Sequence, residues 1–245
     1  MLVIVSFSLP ITVVVAVEGL MRWFGDAAGS GAGRWQSAVK TYHLVAGYLF
    51  GAALCQVLTD LAKFSVGRLR PNFLDLCRPN YDEIDCGTPM RPRYVTNFTC
   101  AGNPDVFDLA DTEYYVNKAR QSFVSGHASM SFQAMVFIVL YLQARVVNRD
   151  FPFVSLATPV LQLACVTFSA FTAMSRVVDN KHHGADVAAG ALLGVVTQCL
   201  NVIYLMRLFR EEAPAPKRNL SSYSNDSERF RHSTATQIDV VDNPC

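Results

Sequence analysis

Charged side chains are scarce in this chain and lie mostly outside five long apolar segments. Only 17% of the 245 residues are charged and 51% are hydrophobic, which gives a mean hydropathy of +0.23. Because a typical soluble domain is about 25% charged, this composition does not favour one. The net charge of +1 is also too small for the basic surface that nucleic-acid binding needs, and we expect no nucleic-acid partner.

Metal-ligand patterns are missing as well. The seven cysteines form no C-x-x-C pair, and no Cys/His group has the spacing of a zinc site. We therefore expect no metal and no other cofactor. Cys77, Cys86 and Cys100 lie in one polar loop, where we expect one disulfide if that loop faces an oxidising compartment. The sequence does not say which two of the three form it.

Long apolar runs are the main feature of the sequence. Five of them approach or exceed the length of about 20 residues that a helix needs to cross a bilayer. They cover residues 2–23, 43–61, 128–147, 154–174 and 185–208. A cleaved signal peptide is the alternative for the first run, but that run has no basic start and no small-residue cleavage site. The sequence predicts an all-α, polytopic membrane protein with a membrane-embedded domain at residues 1–209. A polar, disordered cytoplasmic tail is predicted at residues 210–245.

Basic residues orient the predicted spans. Arg145, Arg149 and Arg207 lie at or just beyond the C-terminal ends of the third and fifth runs, and short positively charged segments stay cytoplasmic. Two spans separate the long loop 62–127 from the turn 175–184, so both lie on the same side of the membrane, which is then the extracellular or lumenal side. We expect the membrane to be the plasma membrane or an endomembrane. The loop contains the sequon Asn97-Phe98-Thr99, so we expect a glycan on Asn97. Asn219 and Asn225 also begin sequons, but they lie in the predicted cytoplasmic tail.

Three polar clusters lie at span ends on this same face. They are Lys63 with Arg68 and Arg70, then Ser125-Gly126-His127, then Ser175-Arg176 with His182 and Asp186. An interfacial basic belt, a helix cap and an ordinary i, i+4 pair would explain each cluster alone. These separate explanations do not account for the convergence of all three clusters at one face. Cations gathered there repel one another unless an anion joins them. A phosphate offers several acceptor oxygens, and a helix start offers N–H donors to it.

The two histidines suit different chemical roles. His182 suits a neutral nucleophile, because Asp186 four residues later is placed to hold its other ring nitrogen. His127 suits the general acid that protonates the leaving alkoxide. Cations around them would stabilise charge on the transferring phosphoryl group. The expected phosphate-binding residues are Lys63, Arg70, Ser125, Gly126 and Arg176.

The pattern K-x6-R-P, then S-G-H, then S-R-x5-H-x3-D resembles the signature of the type 2 phosphatidic acid phosphatase family. This family shares a helical core with vanadium haloperoxidases. The flanking residues, such as Lys181-His182-His183, are similar to those of animal lipid phosphate phosphatases. His183 is an alternative nucleophile, but the motif spacing selects His182. The family has six spans, and the first of them has no counterpart among the five predicted here.

The resemblance implies metal-independent hydrolysis of lipid phosphate monoesters through a phosphohistidine, at the extracellular or lumenal face. The implied substrates are phosphatidate, lysophosphatidate, sphingosine 1-phosphate and ceramide 1-phosphate, and homo-oligomerisation is left open. Three alternatives remain: an inactive lipid-binding relative, an anion channel or transporter, and a membrane enzyme acting on another phosphate ester. Retention of every polar motif residue favours an active enzyme. The histidine–aspartate pair beside a second histidine favours turnover over conduction.

Overall fold

The computed structural model describes residues 2–27, 34–85, 87–93, 95, 98–146 and 152–209, and these are mainly helical. The five long helices are α1 (Leu2–Ala27), α2 (Arg34–Val66), α5 (Gly126–Arg145), α6 (Pro152–Val178) and α7 (Gly184–Leu200). The short helices are α3 (Phe73–Cys77) and α4 (Thr112–Ala119), with 3₁₀ turns at Tyr81–Glu83 and Leu109–Asp111. An antiparallel hairpin pairs β1 (Gly87–Thr88) with β2 (Arg91–Pro92), and a π-helical turn at Asn201–Met206 continues α7.

The five long helices, counting α7 together with its π-helical turn, are long and apolar enough to cross a membrane, which confirms the predicted all-α polytopic membrane protein. The main difference from the sequence prediction is in α2, which has 33 residues and extends beyond the predicted run 43–61 at both ends. Its extra residues bring Lys63 into the last turn of the helix. The predicted tail 210–245, Asn97 and Cys86 lie outside the described residues.

Helix α5 is the centre of the bundle and contacts α1, α2, α6 and α7. It is the most buried of the five spans, with fully enclosed side chains such as Phe137 and Tyr141. The other four keep many large apolar side chains exposed, as expected for lipid-facing helices. At its far end, Arg145 pairs with Glu18 of α1 at 2.9 Å.

Small residues let α7 lie directly against the first turns of α5. A Cβ atom added to Gly190 would lie 2.5 Å from the carbonyl oxygen of Ser125, and one added to Gly194 would clash with the carbonyl oxygen of Ser129. Such close approach is typical of small residues in membrane helix pairs. It fixes the start of α5 relative to the turn that precedes α7.

The long loop between α2 and α5 has a core of its own. Helices α3 and α4 contact each other, and a disulfide joins Cys77 to Cys100. The expectation of one disulfide in this loop is confirmed, with the pair now assigned. The apolar cluster around it consists of Phe73, Leu76, Cys77, Phe107, Val116 and Ala119.

Replacing both Cys77 and Cys100 with alanine should lower the thermal melting midpoint in detergent. The two cysteines are 23 residues apart, and a cross-link of that length contributes about 3 kcal/mol, largely by restricting the unfolded chain. Reductant should shift the wild-type midpoint in the same direction but leave the double variant unchanged. Cys199→Ala, which removes a free cysteine, is the control. Equal midpoints for wild type and double variant would contradict this expectation.

Candidate active site

The three polar clusters meet at one end of the bundle, around a cavity of about 320 Å³. Its lining consists of Lys63, Arg70, Lys118, Gln121, Gly126, His127, Arg176, Lys181 and His182. Six of the eight residues predicted from the sequence are therefore in the wall. The other two, Ser125 and Asp186, are completely buried and do not line it.

Four backbone hydrogen bonds tie the motif segments together. The N–H of Arg70 donates to the carbonyl oxygen of Ala119 at 2.8 Å, and the N–H of Ser122 donates to that of Arg68 at 2.9 Å. The other two run from Asn72 to Asn180 at 3.2 Å and from Ser125 to Asp186 at 3.0 Å. Gly67, with φ of 59°, turns the chain after α2 so that these contacts can form. The loop, the start of α5 and the turn before α7 thus form one hydrogen-bonded unit.

The first turn of α5 borders the cavity and is suited to an anion. Ser125 is the N-cap, and its hydroxyl accepts a hydrogen bond from the N–H of Ala128 at 3.5 Å. Gly126 follows, and a Cβ atom there would lie 3.1 Å from Nζ of Lys63. The missing side chain therefore leaves room for the lysine beside the helix start. The free backbone N–H groups at the start of α5 and the positive end of the helix dipole add to the positive charge of the lysine.

His182 is buried, with 4% of its surface exposed. Its Nδ1 lies 2.7 Å from the carbonyl oxygen of Ser122, which can only accept, so Nδ1 carries the proton. The second ring nitrogen, Nε2, then has a free lone pair. Burial, and secondarily the positive charge of Arg70, lowers the pKa of His182 to about 4. The ring is therefore neutral at neutral pH, as a nucleophile must be.

Asp186 makes no hydrogen bond with the ring of His182, and the expected direct hydrogen-bonded pair is wrong. Its carboxylate accepts from Oγ of Ser122 at 2.6 Å, from Nη1 of Arg68 at 2.7 Å and from the backbone N–H of His183 at 3.1 Å. Residues four apart face each other only when both lie on one helix. Because α7 begins only at Gly184, His182 and Asp186 do not meet this condition. Asp186 reaches His182 through Ser122, whose hydroxyl donates to the carboxylate while its carbonyl binds the ring.

The cavity wall is strongly cationic. Lys63 and Arg176 have carboxylate partners, Asp60 at 3.2 Å and Asp179 at 2.9 Å, but neither carboxylate lines the cavity. Nε of Arg70 is buried without a hydrogen-bond partner. Burial lowers the pKa of Arg70, although a guanidinium remains charged in proteins. A buried cationic donor without an acceptor beside a polar cavity indicates a ligand with anionic oxygens.

Several residues of this site were absent from the predicted set. Ser122 and Arg68 lie inside or next to the motifs, but their roles depend on backbone contacts that spacing does not reveal. Lys118 and Gln121 come from α4 and the turn after it, where no pattern marks them. Within the described ranges, no group of three or more His, Cys, Asp or Glu residues could hold a metal ion.

Comparison with known proteins identifies the family. Residues 44–210 match the family model described as PAP2 superfamily. The chain belongs to this family. It is 39% identical over 183 residues to phospholipid phosphatase 1 of Rattus norvegicus, covering 75% of this chain and 59% of that protein. It is 40% identical over 173 residues to phospholipid phosphatase 2 of Homo sapiens, covering 71% of this chain and 54% of that protein.

The predicted resemblance to lipid phosphate phosphatases is confirmed by these matches. The chain spans less than two thirds of the length of the curated relatives it matches, between 54% and 66%. No solved structure is significantly similar to it. The PAP2 match contains all eight predicted site residues, since they lie between Lys63 and Asp186.

Proposed function

We propose that this PAP2 family member hydrolyses lipid phosphate monoesters without a metal, through a covalent phosphohistidine on His182. The observation that carries the proposal is the buried ring of His182, whose Nδ1 donates to the carbonyl oxygen of Ser122 and so leaves the lone pair of Nε2 free. The cationic wall that contains Arg70 supports a phosphate ligand. The relatives named phospholipid phosphatase support a lipid as the group that carries the phosphate.

In the first step, Nε2 of His182 attacks phosphorus and a P–N bond forms. The P–O bond to the lipid breaks, and the departing oxygen takes a proton from His127, which lines the same cavity on α5. Lys63, Arg70 and Arg176 stabilise the negative charge on the three remaining phosphoryl oxygens. The lipid alcohol leaves, and the phosphoryl group stays on the histidine.

In the second step, a water molecule attacks the phosphohistidine. His127, now neutral, accepts the proton of that water, and the P–N bond breaks. Inorganic phosphate leaves and His182 returns to its neutral form. His127 acts as acid in one step and base in the next, so protons balance over a turnover. Asp186 and Ser122 keep the proton on Nδ1 and so keep Nε2 available.

Phosphate release should persist in excess EDTA, and vanadate should inhibit it. Fixed cations take the place that metal ions have in other phosphoryl-transfer sites, and vanadate adopts the five-coordinate shape of the transferring group. The measurement is phosphate release by purified protein in detergent from phosphatidate, lysophosphatidate, sphingosine 1-phosphate and ceramide 1-phosphate. Loss of activity in EDTA that magnesium restores would refute the metal-free mechanism. No release from any of the four lipids would favour an inactive relative.

We also propose that the catalytic cavity faces the extracellular or lumenal side and that residue 210 onward is cytoplasmic. The positive-inside bias supports this orientation. A protein made in a eukaryotic secretory pathway should then carry a glycan on Asn97 and none on Asn219 or Asn225. Glycosidase treatment should increase gel mobility of the wild type but not of Asn97→Gln. A shift that survives Asn97→Gln and disappears on replacing a tail asparagine would reverse the orientation.

A further inference from the structure

Two side chains of the cavity wall, Lys118 and Gln121, belong to none of the phosphate-site motifs. We propose that they form a second subsite, which binds the polar linker between the phosphate and the hydrocarbon chain of the substrate. The groups that fit are hydroxyls and ester or amide carbonyls, because an ammonium donates and a primary amide both donates and accepts. This inference rests on the proposed phosphatase function and specifies which lipid phosphates the site prefers.

The charge of the wall exceeds what one phosphoryl group needs. Five of the lining residues are cationic and none is acidic: the cations are Lys63, Arg70, Lys118, Arg176 and Lys181. The charges of Lys63 and Arg176 are already partly neutralised by Asp60 and Asp179, respectively. Among the described residues, no carboxylate pairs with Lys118. Its ammonium lies 4.5 Å from the centre of the Tyr114 ring, within cation–π distance.

Gln121 supplies neutral hydrogen-bonding groups beside this ammonium. Its backbone N–H donates to the carbonyl oxygen of Lys118 at 3.2 Å, which makes the two residues neighbours in the turn that ends α4. The Gln121 side chain is half-buried and lines the cavity. Within the part of the chain that the structure describes, its amide has no hydrogen-bond partner. A partly desolvated amide at a cavity wall is a specific binding group for a polar ligand.

Helix α4 is held rigidly enough to act as a binding wall. Val116 and Ala119 are buried in the apolar cluster that also contains Cys77 of the disulfide. The guanidinium of Arg120 lies over the rings of Phe73 and Phe98, at 5.6 and 5.8 Å. The hydrogen bond from the Arg70 N–H to the Ala119 carbonyl ties the end of α4 to the phosphate site. The second subsite is therefore preorganised next to the first.

The test compares two substrates of matched chain length in mixed micelles: a 1-acylglycerol 3-phosphate, with a hydroxyl and an ester near the phosphate, and a plain alkyl phosphate. For Gln121→Leu, kcat/KM on the acylglycerol phosphate should fall about two- to tenfold, the effect of one neutral hydrogen bond. For Lys118→Met the fall should be about 10- to 100-fold, because the donor is charged. On the alkyl phosphate, Gln121→Leu should remain within about twofold of wild type. Lys118→Met, which also removes a positive charge from the cavity wall, should lose several-fold less on the alkyl phosphate than on the acylglycerol phosphate.

Two matched controls separate recognition from general effects. Asn117→Leu makes the same type of change on α4 outside the cavity lining, and Arg91→Met removes a positive charge from the same loop at an exposed hairpin. Both should behave as wild type. Equal losses on both substrates, or no loss on either, would overturn the linker subsite while phosphate release by wild type upholds the proposed function. If wild type hydrolyses neither substrate, the proposed function fails and the subsite with it.

Discussion

Replacement of His182 by asparagine is expected to reduce phosphate release on the order of 10⁶-fold, the loss seen when the nucleophile of a hydrolase is removed. Asparagine can still donate a hydrogen bond to the carbonyl oxygen of Ser122, so the buried site should keep its fold. What it lacks is the basic ring nitrogen that attacks phosphorus. Steady-state phosphate release from lysophosphatidate measures the loss, and an unchanged detergent melting midpoint shows that folding is retained.

His183 is the matched control for this variant. It is adjacent in sequence, but it does not line the cavity, and its Nδ1 lies 3.2 Å from the carboxylate of Asp186. His183→Ala removes a hydrogen bond to a charged carboxylate outside the cavity and should cost no more than about 100-fold, far less than the His182 variant. A His182 variant with wild-type turnover, or a His183 variant with the larger loss, would contradict the assignment of the nucleophile.

Replacement of His127 by alanine should slow hydrolysis of a lipid phosphate about 10²- to 10⁴-fold, because the alkoxide then leaves without a proton. The same variant should lose much less activity on 4-nitrophenyl phosphate, whose phenolate leaves readily without protonation. The comparison of the two substrates in one preparation isolates the acid role from any change in folding or phosphate affinity. His182→Asn should be inactive on both. Equal losses of His127→Ala on both substrates would show that His127 binds phosphate but does not protonate the leaving group.

The sequence predicted the parts of this molecule that depend on composition and length. A run such as residues 154–174 is expected to be a membrane helix, because only a helix satisfies the backbone hydrogen bonds of a single segment in lipid. The meeting of Lys63, His127 and Arg176 at one cavity could be predicted because consecutive membrane helices run in opposite directions. The ends that carry these three residues therefore lie on the same side of the membrane. These expectations held because they do not depend on the details of side-chain packing.

Other features depend on contacts that spacing cannot show. The pairing of Cys77 with Cys100 follows from the packing of α3 and α4, and three loop cysteines gave no basis for choosing it. The link from Asp186 through Ser122 to His182 uses a backbone carbonyl and an N-cap geometry at His183. Lys118 lines the cavity from α4, whose end is tied to Arg70 by a backbone hydrogen bond. In each case a non-local hydrogen bond or disulfide decides the position.

The most direct test of the account is to trap the covalent intermediate. Purified protein is mixed with ³²P-labelled lysophosphatidate, quenched within milliseconds in alkali, where phosphohistidine is stable, and digested for mass spectrometry. We expect an acid-labile phosphoryl group on His182, present in wild type and in His183→Ala and absent in His182→Asn. Phosphate release without a labelled enzyme, or a label on His183 or His127, would contradict it.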